Sequence, residues 1–157
     1  MLVSLLFAWK LLLYVWGWVP FLLGANAPKF PQALHNESGT VTVANTGRDG
    51  SGTVVTIFTG VAAGSIIEKV VIKALTSTVD GAVRLFHNDG SSRLLAEIKV
   101  PISTPSGRDP AWGYVWYPPV GSGGTPEWPL DGAAESLRAT TETGDDFYII
   151  ACGKDYA

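Results

Sequence analysis

The chain has 157 residues, of which 46% are apolar, and a formal net charge of −3. This length fits one domain whose core needs neither a metal nor disulfides for support, and the single cysteine excludes an intrachain disulfide. Lysine and arginine never cluster in a run, so the charge pattern gives no support for binding nucleic acid.

An apolar segment, residues 1–24, opens the chain with Lys10 as its one charge. It is long enough to cross a bilayer as a helix, although Pro20 would break or kink that helix near its end. Small residues at 25–27 suit a signal-peptide cleavage site, but no basic residue precedes the apolar stretch. Three interpretations stay open: a membrane-spanning segment, a secretory signal, and a misassigned start. The protein would be membrane-anchored or secreted only if this segment is native and functional.

The rest of the chain predicts an arm followed by a single all-β domain. Residues 25–39 predict an extended arm, because Pro28 and Pro31 disfavour both a helix and a central strand. In residues 40–157, short apolar or β-branched runs alternate with Gly, Asp, Asn, Ser and Pro. We expect an antiparallel β-sandwich of about eight strands, with the jelly roll as one form that it can take. The predicted strands are 40–46, 53–59, 66–75, 82–87, 93–100, 112–117, 135–141 and 147–152.

Alternation within these runs predicts which side chains face the core. In the run 82–87, Arg84 is expected to face water, which places its two neighbours inside. Residues 88–92, NDGSS, predict a tight hairpin, because Asn, Asp and Gly readily adopt positive φ. The predicted core residues are Ile66, Val70, Ile72, Ala74, Val83, Leu85, Leu94, Ala96, Ile98, Val100, Leu137, Ala139, Phe147, Ile149 and Ala151.

No pattern in the sequence predicts catalytic, cofactor-binding or metal-binding residues. His35 and His87 are the two histidines, and neither has a partner at metal-ligand spacing. The glycine-rich segment 47–52, GRDGSG, lacks the Lys-Ser/Thr of a phosphate-binding loop and predicts a turn. Because a serine-nucleophile motif is also missing, we do not expect an enzyme.

Aromatic residues form the clearest candidate binding surface. Trp112, Tyr114 and Trp116 share one side of a strand by its period of two, and Trp128 lies in the Pro/Gly-rich stretch 118–134. Such rings can stack on a sugar or on a partner's side chains. The alternative is that they fill the core or pack beneath the long loop.

Three segments carry a family resemblance: Asn45–Gly52, NTGRDGSG; Gly81–Phe86, GAVRLF; and Ser136–Ala139, SLRA. Together they resemble small proteins of tailed bacteriophages and prophages, which show an N-T-x-R-D-G-T-G turn, then G-M-[VI]-R-L-F, then S-L-R-A-S. The likeness runs from Ala25 to about Gly153. The apolar segment 1–24 lies outside it, and the stretch 118–134 is expanded relative to it.

This resemblance implies a virion structural protein of β-sandwich type that has no active site to carry over. We expect a capsid auxiliary or decoration subunit, located in the virion, that forms a homo-oligomer or docks on a shell of other virion proteins. The alternative from the residues is a secreted or membrane-tethered carbohydrate-binding module that uses the Trp112, Tyr114 and Trp116 side.

Overall fold

The computed structural model of the protein describes residues 30–120 and 124–157. Every regular element in these ranges is a β-strand, which confirms the all-β class. No helix in this part of the chain is long and apolar enough to cross a membrane. The apolar segment 1–24, predicted as a helix, lies outside the described residues, as does the predicted arm before residue 30.

The described residues form nine strands in two antiparallel sheets that pack as a sandwich. In chain order they are β1 (Pro31–Val41), β2 (Val55–Thr59), β3 (Ser65–Ala74), β4 (Gly81–Asn88), β5 (Ser92–Val100), β6 (Gly113–Trp116), β7 (Trp128–Leu130), β8 (Ser136–Thr141) and β9 (Phe147–Tyr156). Sheet A has the order β1-β9-β3-β6, with β7 also paired to β3, and sheet B has the order β2-β8-β4-β5.

The strand pairing is that of a jelly roll. Both β6 and β7 pair with β3, one after the other along the same strand, and together they act as one interrupted strand. The pairs then nest, with β1 on β9, β2 on β8, β3 on β6 and β7, and β4 on β5. This nesting results when one long antiparallel ribbon folds over into two sheets.

The first strand begins earlier in the chain than the sequence pattern predicts. It pairs with β9 from Pro31 opposite Tyr156 to Val41 opposite Phe147. From Pro31 onward, the segment 25–39 is therefore an edge strand of the sandwich and not a free arm, and the predicted strand 40–46 overlaps it only at its end. Proline misled the prediction, because it is tolerated at the first residue of an edge strand. The short β7 was missed because three residues that include Pro129 show no alternation.

The core lies between the sheets and contains nearly all the side chains that alternation predicted. The hairpin at residues 88–92 is confirmed, with Gly90 at φ 102°. Leu94 and Ile66 are the exceptions among the predicted core residues. Ile66 is buried, but Ile67 and not Ile66 belongs to the core cluster, because the register shifts between Ile67 and Lys69. Leu94 is 41% exposed. A register shift between β4 and β5 at this point turns Leu95 toward the core instead, and Ala96 is half-buried.

The expectation that Arg84 faces water is wrong, because its side chain is only 1% exposed. Arg84 does lie on the side of β4 opposite the core residue Val83, as alternation requires. The loop of residues 42–54, however, crosses the outer face of sheet B at this point. Ala44 pairs with Thr141, and the Arg84 Nη1 atom donates to the Asn45 carbonyl oxygen at 3.2 Å. The loop therefore covers the arginine.

Two carboxylates neutralise the buried guanidinium. Arg84 Nε donates to Glu97 Oε2 at 2.7 Å, and Nη2 donates to Glu142 Oε1 at 3.0 Å. Burial disfavours the charge of Arg84, but hydrogen bonds to Glu97 and Glu142 outweigh this effect and raise its pKa. The hydrogen bond from Arg84, together with the nearby charge of Arg48, lowers the pKa of Glu97.

The loop 42–54 is itself held in one conformation. Asn45 Nδ2 donates to the carbonyl oxygens of Ser51 and Thr53 at 2.7 and 2.9 Å. Gly50 has a φ of 74°, and a Cβ atom there would lie 2.3 Å from the Cβ of Ser92, so that only glycine fits. Two of the segments that carry the phage resemblance, Asn45–Gly52 and Gly81–Phe86, thus contact each other around Arg84.

We predict that Arg84→Met lowers the free energy of unfolding by about 3 kcal/mol, because it leaves two carboxylates without their shared cation. The matched control is Arg48→Met. Arg48 also pairs with Glu97, but its side chain is 68% exposed, and its loss should cost less than about 1 kcal/mol. Urea denaturation measures both values, and equal losses would show that burial of Arg84 is unimportant.

Candidate binding surfaces

The structure places the predicted aromatic side of β6 toward the core. Tyr114 lies opposite Ile72, and Trp116 lies opposite Val70, both of which are buried. Trp112 and Trp116 pack against the core, whereas Tyr114 is 46% exposed. The rings of Trp112 and Tyr114 stack at 6.3 Å with an interplanar angle of 6°. The three residues share a side as predicted, but that side is not an outward platform for a ligand.

Tyr114 is exposed because the sandwich is open along this side. Strands β5 and β6 are the outermost strands of their sheets here, and no pairing joins them. On the opposite side of β6, Val115 lies beside Val71, which in turn lies beside Ile150 on the outer face of sheet A. Val115 is 39% exposed and Tyr117, just after the strand, is 59% exposed. We call Tyr114, Val115, Tyr117, Val71 and Ile150 the β6 patch.

Lysines flank the β6 patch. Lys69 and Lys73 are exposed on β3, on the same side as Val71. In the described part of the chain neither lysine forms an ion pair. The outer face of sheet A therefore offers apolar side chains beside unpaired positive charge, whereas the loop 42–54 covers part of the outer face of sheet B.

The opposite rim, between β1 and β2, is closed by side chains. Glu37 Oε2 accepts a hydrogen bond from the Thr59 backbone N–H at 2.8 Å. The two strands approach so closely at Gly39 that a Cβ atom there would lie 2.9 Å from Ile57 Cδ1. The two rims thus differ: one is bridged, and the other is open.

His35 lies at this closed rim between two carboxylates. Its Nδ1 atom is 2.8 Å from Asp155 Oδ1, and its Nε2 atom is 3.1 Å from Glu37 Oε1. Burial lowers the pKa of His35, but hydrogen bonds to Asp155 and Glu37 outweigh this effect and raise it overall.

Asp155 also accepts a hydrogen bond from the Ser65 hydroxyl at 2.7 Å. The carboxylate therefore lies between serine and histidine, whereas a serine nucleophile needs the imidazole next to its hydroxyl. Ser65 is also fully buried. The cluster consequently ties β1, β3 and β9 together and does not form a nucleophile and base pair.

A cleft of about 540 Å³ lies beside Trp128, at the end of the sandwich where the β4–β5 hairpin turns. The fourth predicted aromatic residue is therefore separate from the other three. Residues from β4, the hairpin, β7 and the turn before β8 line the cleft, among them His87, Asp89, Arg93, Trp128, Asp131 and Glu135. Sequence reasoning missed this cleft, because its polar residues lie on separate elements.

Hydrogen bonds fix the cleft wall. Glu135 Oε2 accepts from the Asp131 backbone N–H at 3.0 Å and lies 3.0 Å from His87 Nε2. The hydrogen bond from the Asp131 N–H and, to a smaller extent, the contact with His87 lower the pKa of Glu135. The His87 ring meets Trp128 edge-on at 5.7 Å. The buried indole N–H of Trp128 has no acceptor among the described residues.

No group of three or more His, Cys, Asp or Glu side chains within residues 30–120 and 124–157 could hold a metal ion. His35 forms hydrogen bonds with the carboxylates of Asp155 and Glu37, and His87 forms one with the carboxylate of Glu135.

We predict that His35 stabilises the fold more at low pH than at high pH. Because its pKa is raised in the folded state, its contribution is fully present below the unfolded value of about 6.5 and is lost as the pH rises through the folded pKa. The difference in unfolding free energy between the protein and His35→Gln should therefore be larger at pH 5.5 than at pH 8.5.

Asp155→Asn is the matched variant for this experiment, since it removes one carboxylate and keeps the ring. It should weaken the pH dependence that His35 confers. A difference between the protein and His35→Gln that is the same at both pH values would contradict the prediction. Urea denaturation at the two pH values provides the measurement.

No protein-family model and no curated protein sequence matches this chain. Among solved structures, the crystal structure of dimeric latent PorU from Porphyromonas gingivalis is similar to 84% of this chain, with 16% sequence identity and a TM-score of 0.35. The matched part spans 14% of that PorU chain. Similarity at this level carries no argument about function, which must be inferred from the surfaces described above.

Proposed function

We propose that this protein is a structural protein of a phage particle: a capsid auxiliary or decoration subunit that self-associates or docks on a shell. Its partners would be copies of itself and other virion proteins, without nucleic acid, and its location the virion. The observation that supports this proposal is the β6 patch, which places apolar side chains at the surface beside a strand edge that has no partner among the described residues.

Exposed apolar side chains that lie together commonly mark a protein interface. An edge strand adds unpaired N–H and C=O groups that can pair with another chain. In the β6 patch both features coincide at Val115, which lies on the edge strand and faces outward. A partner that covers Val115 could therefore also extend sheet A.

The other edge of sheet A is protected against such pairing. Strand β1 begins with Pro31, has a register shift between Pro31 and Ala33, and turns His35 and Glu37 toward the rim. Proline, bulges and inward-pointing charged groups are the devices by which proteins block edge-to-edge association. The contrast between the two edges favours β6 as the edge at which a partner binds.

The phage-like segments add a second line of support. The first two of these segments build the cluster around Arg84, whose hydrogen bonds tie the loop 42–54 to sheet B. A sandwich with its loop 42–54 bonded in place and with the β6 edge open suits a subunit that acts by contact, and we propose no enzymatic activity.

We predict that Val115→Lys weakens self-association or binding to shells by about tenfold or more, because it places a charge at the centre of the interface. Thr40→Lys is the matched control. Thr40 is also exposed on an edge strand of sheet A, but on the protected one. Sedimentation velocity of the full chain and co-sedimentation with phage shells that lack it measure the two effects.

The proposal would be refuted by a full-length protein that stays monomeric and does not bind shells. It would also be refuted if Thr40→Lys and Val115→Lys weakened association equally, since the β6 edge would then have no special part.

A further inference from the structure

The cleft beside Trp128 has the features of a small-ligand site. Its volume of about 540 Å³ lies within the range of about 300 to 1,000 Å³ that is usual for such sites. Four separate elements converge on it, which is typical of a binding site on a rigid scaffold. It lies beside β7, which pairs with residues 65–67 of β3, whereas β6 pairs with residues 70–73. The cleft is thus distinct from the β6 patch.

The cleft is preorganised by groups that already have partners. Glu135 is held by the Asp131 N–H and by His87, and Asp89 forms an ion pair with Arg93. Trp128 packs against the core. A ligand would therefore meet walls that need little reordering, which lowers the entropic cost of binding.

The remaining polar groups include both donors and acceptors. Arg93, with a side chain that is 64% exposed, can only donate hydrogen bonds, and the exposed carboxylate of Asp131 can only accept them. The indole N–H of Trp128 is buried, so that Trp128 offers the ligand only its apolar ring surface. Pro119, Val120 and Pro129 add apolar surface. Hydroxyl groups, which donate and accept at once, match this mixture best.

Charge excludes one class of ligand and disfavours another. Four carboxylates line the cleft against a single arginine, so that phosphates and other anions would be repelled. A compact cation would have to enter beside Arg93, and two of the four carboxylates, those of Asp89 and Glu135, are already engaged by Arg93, His87 and a backbone N–H. No three of the described acidic, His or Cys side chains are grouped so as to hold a metal ion. A neutral ligand with many hydroxyl groups avoids both penalties.

We propose that this cleft binds a neutral saccharide of one or two sugar units. Arg93 and Asp131 bind its hydroxyl groups, and Trp128 and the prolines contact its apolar face. The inference does not depend on the proposed structural role, since the β6 patch takes no part in it.

The test begins with the full-length protein on an array of neutral saccharides built from glucose, galactose, mannose and N-acetylglucosamine. The strongest binder is then titrated calorimetrically into the protein and its variants. We expect Arg93→Gln and Asp131→Asn each to weaken binding by about tenfold or more, because each removes a hydrogen bond to a charged group. Both residues are exposed, so these variants should fold normally.

Arg48→Gln is the matched control, since Arg48 is also an exposed arginine in one ion pair, with Glu97, and lies outside the cleft. It should leave the affinity unchanged. The proposal fails if no neutral saccharide binds at millimolar concentration, or if the three variants bind equally well. It also fails if spermidine or lysine methyl ester binds in the cleft where no sugar does.

Discussion

The buried guanidinium of Arg84 is the interaction on which the arrangement of surfaces depends. An arginine inside a protein is tolerated when its charge is paired and its donors find acceptors, and here Glu97, Glu142 and the Asn45 carbonyl accept hydrogen bonds from all three of its nitrogens. Because the carbonyl belongs to the loop 42–54, satisfying Arg84 also holds that loop against sheet B. Among the described residues no comparable loop bonds to the outer side of β6 on sheet A, which is the face that we propose for a partner.

The two rims of the sandwich differ in how the polar groups of their edge strands are covered. At the β1 and β2 rim, Glu37 satisfies the Thr59 N–H, and His35 lies between two carboxylates. At the other rim, Trp112 and Trp116 pack against the core, but the backbone edge of β6 has no partner strand within residues 30–120 and 124–157. Unpaired edges favour association, and this asymmetry is the reason for which we propose that assembly takes place at the β6 edge.

The long stretch 118–134 has a structural role that its Pro/Gly-rich composition does not predict. It supplies β7, which completes sheet A, and it brings Trp128 and Asp131 beside the β4–β5 hairpin. The proposed assembly surface and the proposed saccharide cleft can therefore coexist, since β6 and β7 pair with β3 at different positions. A subunit built in this way would present the cleft while its open edge is covered.

The sequence alone determined most strands, the hairpin at residues 88–92 and the core side of β3, β4, β8 and β9. Alternation and turn chemistry were sufficient for this, because a period of two assigns side chains to faces without reference to other elements. It also placed Trp112, Tyr114 and Trp116 on one side. Which face is covered depends on contacts between residues far apart in the chain, and only the tertiary structure decided this. Arg84 lies on the predicted outer side yet is buried by the loop 42–54, and the aromatic side of β6 turns inward because Tyr114 lies opposite Ile72. The cleft beside Trp128 likewise exists only because the fold brings four separate elements together.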